Sequence, residues 1–291
     1  MSGAPPLPYP SFPADRFAPP WAATGAPVSA LDAVLGPLLV AAADRALARF
    51  GAPVVHKKED GTPVTDADTA AEELLVSGLG EAFPDDGVVA EEGGNRDGAR
   101  GIWYVDPLDG TAAFSEGLAH WGPVVARQEG GVVSAGALYM PRLREYFFVE
   151  RGLGAFRNGA RLKPLSDDPN RPLSALNVLY VPSRLHAGAT LDWPGKARCL
   201  GSVAAHMALV AAGAASGALI PAGWRPWDTA AGLALIEATG GRAVTVDGQP
   251  LHLLDHAGVP FVVGDASTVA WLSQPGRVTV RSRRAPPGRP S

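Results

Sequence analysis

An apolar segment that runs directly into two aspartates constrains this chain more than any other feature. Residues 101–105 have the composition of a buried strand, and Asp106-Pro-Leu-Asp-Gly-Thr111 follows without a spacer. Pro107 stiffens a turn in which two carboxylates lie three positions apart. Such carboxylates repel each other unless a cation neutralises them. The segment therefore predicts either a cation site or an ordinary Asp-Pro-x-Asp-Gly turn in which Asp109 caps a helix.

The residues that follow the aspartates favour an anion at the same place. Gly110 and Thr111 are expected to open a helix, whose first backbone N–H groups and dipole attract a phosphate. Metal-binding carboxylates beside an anion site are what metal-assisted hydrolysis of a phosphoester requires.

Three other strings place carboxylates at the ends of predicted elements. Glu91 and Glu92 end a short apolar run, Asp66 and Asp68 open a helix, and Asp228 begins an alanine-rich helix. Taken singly, each string has a simpler explanation as a solvated loop, a helix cap or a first-turn acid. The interpretation therefore depends on how the strings combine.

The order of helix and strand patterns predicts a layered mixture of helices and at least partly antiparallel sheets. Two helical patterns precede a group of short strand patterns, and further helices and strands follow. Helices are expected over residues 29–50, 68–79, 202–214 and 228–239. Strands are expected over residues 87–90, 101–105, 122–128, 132–139, 145–149, 242–246 and 259–263.

Composition divides the chain into three parts. Residues 1–26 are rich in proline and predict an extended arm, because proline fixes φ and lacks an N–H donor. Residues 27–275 form one continuous globular region, and residues 276–291 predict a flexible tail that is basic and rich in proline. A Pro-x-x-Pro spacing in the arm leaves open a structural role as a polyproline ligand.

The charge and cysteine content exclude several function classes. The net charge of −4 argues against binding to a nucleic-acid polymer, which needs a basic face. Cys199 is the only cysteine, so an intramolecular disulfide or a thiolate zinc cluster is excluded. No strongly apolar segment has the length of a bilayer span. We therefore expect a cytoplasmic protein without a membrane partner.

Taken together and in this order, the strings resemble the inositol monophosphatase family. The resemblance spans about residues 29–268 and is carried by residues 60–68, Glu91-Glu92-Gly, residues 106–111 and Trp227-Asp-Thr-Ala-Ala-Gly232. This family is part of a magnesium-dependent, lithium-sensitive phosphatase superfamily that includes fructose-1,6-bisphosphatases, bisphosphate nucleotidases and one class of histidinol-phosphatases. The resemblance implies an α+β fold, a layered α-β-α-β-α sandwich with subdomains over about 27–165 and 170–275, and a homodimer.

The resemblance also implies a centre for two Mg²⁺ ions. Glu91, Asp106 and the backbone carbonyl of Leu108 would hold the first ion, and Asp106, Asp109 and Asp228 would hold the second. Oxygen ligands without histidine or cysteine also suit Mg²⁺ on chemical grounds alone.

The implied reaction is in-line attack of a metal-bound water on a small phosphomonoester. Thr111, tied to Asp68, would relay the proton, with Glu91 close by. The backbone N–H groups of Gly110 and Thr111 would bind the phosphate, and Asp228 would lie against the substrate.

Two departures from the family pattern concern the substrate. Residues 217–227 lack the glutamate that inositol-specific members carry before the Trp-Asp pair, and Arg225 offers a cation there unless it is a plain surface arginine. Residues 112–117 look closer to the histidinol-phosphatase and nucleotidase branches. Those two branches stay open, as does a non-catalytic regulatory protein that binds metal or phosphate.

Overall fold

The structure is a computed structural model that describes residues 26–51, 55–57 and 63–280, with only the backbone described at 55–57 and 63. All but the last residue of the predicted arm, and residues 281–291 of the predicted tail, lie outside it. The helices are α1 (Ala30–Leu47), α2 (Asp66–Ala82), α3 (Thr111–Ser115), α4 (Leu185–Gly188), α5 (Val203–Ala211), α6 (Pro226–Ala238) and α7 (Ala266–Leu272). The strands are β1 (Val55–Lys57), β2 (Pro63–Thr65), β3 (Gly87–Ala90), β4 (Ile102–Asp109), β5 (Gly122–Glu129), β6 (Val132–Met140), β7 (Glu145–Glu150), β8 (Gly154–Arg157), β9 (Ala160–Arg161), β10 (Val178–Tyr180), β11 (Ala189–Leu191), β12 (Lys196–Arg198), β13 (Gly217–Ile220), β14 (Arg242–Thr245), β15 (Phe261–Gly264) and β16 (Val278–Val280).

The fold is built around two large β-sheets. The first has seven strands in the order β3-β4-β5-β6-β7-β8-β9, and all its neighbours are antiparallel except β3 and β4. The second has five strands in the order β12-β10-β13-β15-β14; β10 is parallel to β12 and β13, and the other pairs are antiparallel. The prediction of partly antiparallel sheets is confirmed.

Helices and sheets alternate in five layers. Helices α1 and α2 pack on one face of the seven-stranded sheet, and α5 and α6 lie between that sheet and the five-stranded one. Helix α7 packs on β14 and β15 at the far side. Among the described residues, apolar clusters fill the spaces between the layers, and the largest of them surrounds α5 and α6. The predicted α-β-α-β-α sandwich of the α+β class is confirmed.

Short polar side chains fix where the helices near the sheet ends begin. The Thr65 hydroxyl accepts from the Ala67 N–H at 3.2 Å, and the Asp68 carboxylate accepts from the Thr65 N–H at 2.7 Å. This capping box starts α2 two residues before the predicted position, because Thr65 rather than an aspartate is the cap. Ser202 caps α5 by accepting from the Ala205 N–H at 3.0 Å.

Strand β4 extends further than the sequence indicated. Its pairing with β5 shifts between Asp106 and Asp109, so the strand passes through Pro107 and ends at Asp109 rather than at Val105. Proline donates no ladder hydrogen bond, and such an irregularity lets the strand continue past it. Both aspartates therefore lie on strand backbone held by the sheet, not in a free turn.

The end of the described chain also differs from expectation. Residues 278–280, assigned to a flexible tail, form β16 and pair antiparallel with β11. Valines in the segment Val-Thr-Val favour a strand, which the basic composition of the surrounding residues concealed.

The boundaries of the two subdomains stay a prediction. Among the residues that the structure describes, no helix combines the length and the apolar character needed to cross a bilayer.

Candidate active site

Three of the predicted carboxylates converge at one end of β4. One carboxylate oxygen each from Glu91, Asp106 and Asp228 lies within 4.8 Å of the other two. Glu91 follows β3, Asp106 lies on β4, and Asp228 lies in the first turn of α6. The parallel pairing of β3 with β4 brings the first two together, and the packing of α6 on β4 adds the third.

Burial disfavours the ionised form of the acids in this cluster. Asp106 is only 2% exposed. Burial and the neighbouring charges of Glu91, Asp109 and Asp228 raise its pKa well above the ordinary range. Burial also raises the pKa of Asp228 to about 8, although the Arg225 N–H donates to its carboxylate at 2.6 Å. The cluster is therefore costly to ionise without a cation.

Asp109 lies beside the three-residue cluster but is held by another helix. Its Oδ2 accepts hydrogen bonds from the Ser202 hydroxyl and, at 2.8 Å, from the Ala204 N–H at the start of α5. Its Oδ1 has only a long contact of 3.4 Å with the Val203 N–H. Burial raises the pKa of Asp109 to about 6 against these hydrogen bonds. One oxygen of this predicted ligand is thus engaged by α5, and Oδ1 is the one that can serve a cation.

Thr111 connects the cluster to α2. Its Oγ1 lies 3.1 Å from Asp68 Oδ1 and 3.2 Å from the carbonyl oxygen of Leu108, the predicted backbone ligand. The single hydroxyl proton can be donated to only one of these acceptors at a time. Asp68 is buried, and burial raises its pKa although Thr65 and Thr111 hydrogen-bond to it.

Gly110 joins β4 to α3 in a conformation that favours glycine. Its φ is +93°, and an added Cβ would lie 3.1 Å from both the His120 carbonyl oxygen and Ser202 Cβ. Helix α3 then begins at Thr111, where the sequence placed a helix start. Arg225 is exposed at the start of α6 and contacts Asp228 through its backbone N–H.

The donor set fits a hard divalent cation. Within the described residues, the cluster offers carboxylate oxygens only, with no histidine or cysteine ligand among them. Mg²⁺ is bound in proteins by such oxygens, and a buried group of like charges gains most from it. The residues present therefore suit the predicted ion.

The sequence profile of the inositol monophosphatase family matches residues 29–270, which is most of the chain. The chain belongs to the inositol monophosphatase family. A histidinol-phosphatase from Chlorobaculum parvum is 34% identical over 70% of this chain and 83% of its own length. A fructose-1,6-bisphosphatase/inositol-1-monophosphatase from Thermotoga maritima is 33% identical over 64% of this chain and 72% of its own length.

Solved structures of similar proteins share this fold. The extragenic suppressor protein suhB from Bartonella henselae superposes with a TM-score of 0.74 at 26% identity, covering 85% of this chain and all of that one. The layered architecture that the family resemblance implied is thus also found in solved structures of similar proteins.

Two buried residues that support the site of this family member escaped the sequence analysis. Glu72 of α2 accepts from the Glu92 and Gly94 N–H groups, and Ser202 donates to Asp109. Ser202 carried no local signal, because its partner is 93 residues away in sequence. Glu72 did carry a local signal, because it is an acid beside the buried positions Ala71 and Leu75 of α2.

Without divalent cations, we expect this inositol monophosphatase family member to lose stability as the pH rises from about 6.5 to 8. The raised pKa values of Asp106 and Asp228 mean that the folded state keeps protons that the unfolded state releases near pH 4. The free energy of unfolding therefore falls as pH rises through that window. The melting temperature in a chelator should fall by about 2–4 °C for each kcal/mol lost.

Addition of excess Mg²⁺ provides the control for this pH series. Bound cation should stabilise the fold more at pH 8 than at pH 5, because protons and the cation compete for the same carboxylates. Other shifted groups change stability at lower pH: the pKa of Asp86 is lowered by Arg127. Burial lowers the pKa of His120 and lowers that of His206 to about 4. As the pH rises, the two histidines add stability only up to about pH 6.5, so the predicted fall is read above that pH. A melting temperature that rises from about pH 6.5 to 8 in the chelator would contradict the account.

Proposed function

We propose that this chain is a Mg²⁺-dependent phosphatase that hydrolyses a small phosphomonoester. The observation that carries the proposal is the convergence of Glu91, Asp106 and Asp228 beside the Thr111–Asp68 hydrogen bond. A carboxylate cluster for cations, a hydroxyl–carboxylate pair and a helix start for the phosphate thus adjoin one another, as hydrolysis by water requires.

The residues that would hold Mg²⁺ are Glu91, Asp106, the carbonyl of Leu108, Asp109 and Asp228. The bound ions would supply positive charge that lowers the pKa of water and stabilises the leaving oxygen. Asp109 would contribute Oδ1, because its Oδ2 accepts from Ser202 and Ala204.

Thr111 and Asp68 would receive the proton of the attacking water. The Thr111 hydroxyl donates to Asp68 Oδ1, so its oxygen is free to accept a hydrogen bond from that water. Burial raises the pKa of Asp68, which makes this carboxylate a better proton acceptor than a solvated aspartate. The charge of Glu91 raises the pKa of Asp68, so the two side chains are close. Glu91 would help to orient the attacking water toward the Thr111 hydroxyl.

The start of α3 would bind the phosphate through the N–H groups of Gly110 and Thr111. Asp228 would face the substrate side of the cluster. Arg225 would bind a second anionic group in those candidate substrates that carry one, fructose 1,6-bisphosphate and 3′-phosphoadenosine 5′-phosphate. Residues 217–227 contain no acid to bind inositol hydroxyls, so we do not favour inositol 1-phosphate. The histidinol-phosphatase relative makes histidinol phosphate, an amino-alcohol phosphate, the first candidate.

Phosphate release from a substrate panel tests the proposal. We expect turnover of one of histidinol phosphate, inositol 1-phosphate, fructose 1,6-bisphosphate or 3′-phosphoadenosine 5′-phosphate, dependent on Mg²⁺ and suppressed by Li⁺. Turnover that persists in a chelator would contradict the metal mechanism. Silence across the panel, with cation still bound by calorimetry, would favour the non-catalytic binding protein instead.

The proposal includes a homodimer in the cytoplasm that acts on a small phosphorylated metabolite. The exposed Cys199 suits a reducing compartment, and the net charge of −4 does not suit a nucleic-acid polymer as partner. Light scattering on the purified protein would test the dimer, and a single-chain mass at micromolar concentration would contradict it.

A further inference from the structure

The carboxylate of Glu72 is buried inside the fold and holds a loop of the candidate active site. Glu72 is 5% exposed and lies on α2. Its Oε2 accepts from the Glu92 N–H at 2.7 Å, and its Oε1 accepts from the Gly94 N–H at 2.8 Å. Both oxygens of one carboxylate are therefore bonded to backbone donors of the segment that follows Glu91, and charge-assisted bonds of this kind are strong.

These bonds restrict the backbone on the C-terminal side of Glu91. On the other side, the Glu91 N–H donates to the Val105 carbonyl of β4 at 3.1 Å, and the Ala90 N–H donates to Asn95 Oδ1 at 3.0 Å. Glu91 is thus fixed between the sheet and α2. A side chain whose backbone is held on both sides keeps a narrower range of carboxylate positions.

The close approach of Glu72 depends on a glycine. An added Cβ on Gly94 would lie 2.9 Å from Glu72 Oε1 and 3.1 Å from Val76 Cγ2. Both the Glu72 carboxylate and the Val76 side chain would have to move to make room for it. Gly94 therefore allows the Glu72 carboxylate to reach the loop backbone.

Helix α2 supports the candidate site at two consecutive turns. Asp68 and Glu72 are four residues apart, so both project from the same face of the helix. Asp68 accepts from the Thr111 hydroxyl, and Glu72 accepts from the loop that carries Glu91. One rigid element thereby sets the distance between the proton relay and a cation ligand.

We propose that Glu72 is a positioning residue that sets the affinity of the site for its divalent cation through the loop that carries Glu91. The inference rests on the metal centre of the proposed function and assigns a role to a residue outside that centre. Loss of a supporting group behind a metal ligand commonly weakens metal binding by about 10–100-fold. We expect a loss of that size when the Glu72 carboxylate is changed.

Glu72→Gln is the test variant. Glutamine keeps the shape but places an NH₂ donor against one of the two backbone N–H groups, which leaves that donor unsatisfied. Calorimetry with MgCl₂ on the full chain, without substrate, should show a Kd raised by about 10–100-fold. Amide hydrogen exchange at Glu92 and Gly94 should be faster in the metal-free variant than in the metal-free parent protein.

Two comparisons separate positioning from a general loss of negative charge. Glu73→Gln makes the same change at the neighbouring exposed position and should leave the Mg²⁺ affinity within about twofold. Combined with Glu91→Gln, Glu72→Gln should add little further loss, because the ligand through which Glu72 acts is already changed.

The outcomes are distinguishable from those of the proposed function. If the parent protein binds no divalent cation, the metal centre itself is wrong. If the parent binds Mg²⁺ and Glu72→Gln binds it equally well, only the role of Glu72 is overturned. An equal loss of affinity with and without Glu91→Gln would also overturn it, since Glu72 would then act by charge alone.

Discussion

Replacing Asp106 with asparagine should lower kcat for phosphate release by at least about a thousandfold while the protein stays folded. Asp106 lies at the centre of the carboxylate cluster and is its most buried member. Asparagine is close in size but carries no charge, so the site loses electrostatic attraction for Mg²⁺. Metal ions supply several kcal/mol of transition-state stabilisation, and about 4 kcal/mol corresponds to a thousandfold in rate. Steady-state kinetics at saturating Mg²⁺, with circular dichroism for the fold, would measure this.

The same substitution should have the opposite effect on metal-free stability. Because burial and three neighbouring carboxylates disfavour ionised Asp106, a neutral side chain relieves repulsion, and the melting temperature in a chelator at pH 8 should rise. Asp97→Asn, at an exposed position, is the matched control and should change neither activity nor stability. Full activity of the Asp106 variant would exclude the metal role, and a fall in metal-free stability would exclude the electrostatic account.

Replacing Thr111 with alanine should lower kcat by about 10²–10⁴-fold, the range typical of a lost proton-transfer group. The hydroxyl contacts Asp68 and the Leu108 carbonyl, and alanine removes both contacts. KM should change little, because the backbone N–H groups proposed to bind phosphate remain. Kinetics over a range of substrate concentrations, with calorimetry for Mg²⁺, would separate these effects.

Serine at position 111 is the control, because it restores the hydroxyl without the methyl group. Thr111→Ser should recover most of the activity, and Asp68→Asn should lower kcat as Thr111→Ala does, since both break the same hydrogen bond. Equal activity of the alanine and serine variants would show that the hydroxyl takes no part in proton transfer.

The sequence was informative where chemistry is local. Asp106 and Asp109 share one short string with Gly110 and Thr111, so their proximity followed from chain connectivity alone. The layered fold followed from the family resemblance carried by the same strings, and the structure confirms it. The grouping of Glu91, Asp106 and Asp228 was expected from that resemblance, and periodicity alone would not have given it.

The features that the sequence analysis missed depend on tertiary contacts. The continuation of β4 past Pro107 needs the shifted pairing with β5, which no local propensity encodes. The role of Glu72 depends on where α2 lies against the loop after β3, and on a glycine that leaves room for a carboxylate. An acid on the apolar face of a predicted helix is nevertheless a readable sign of a buried hydrogen-bonding role.

The hydrogen bond between Ser202 and Asp109 has a consequence for the order in which the protein folds. It joins residues that are 93 positions apart, so a long loop must close, at a cost in conformational entropy, before the bond can form. While the chain is being synthesised, Asp109 emerges well before α5 and cannot yet have its partners there. The site therefore matures only after most of the polypeptide has left the ribosome, and a prematurely terminated chain that lacks α5 would hold these acids without their final surroundings.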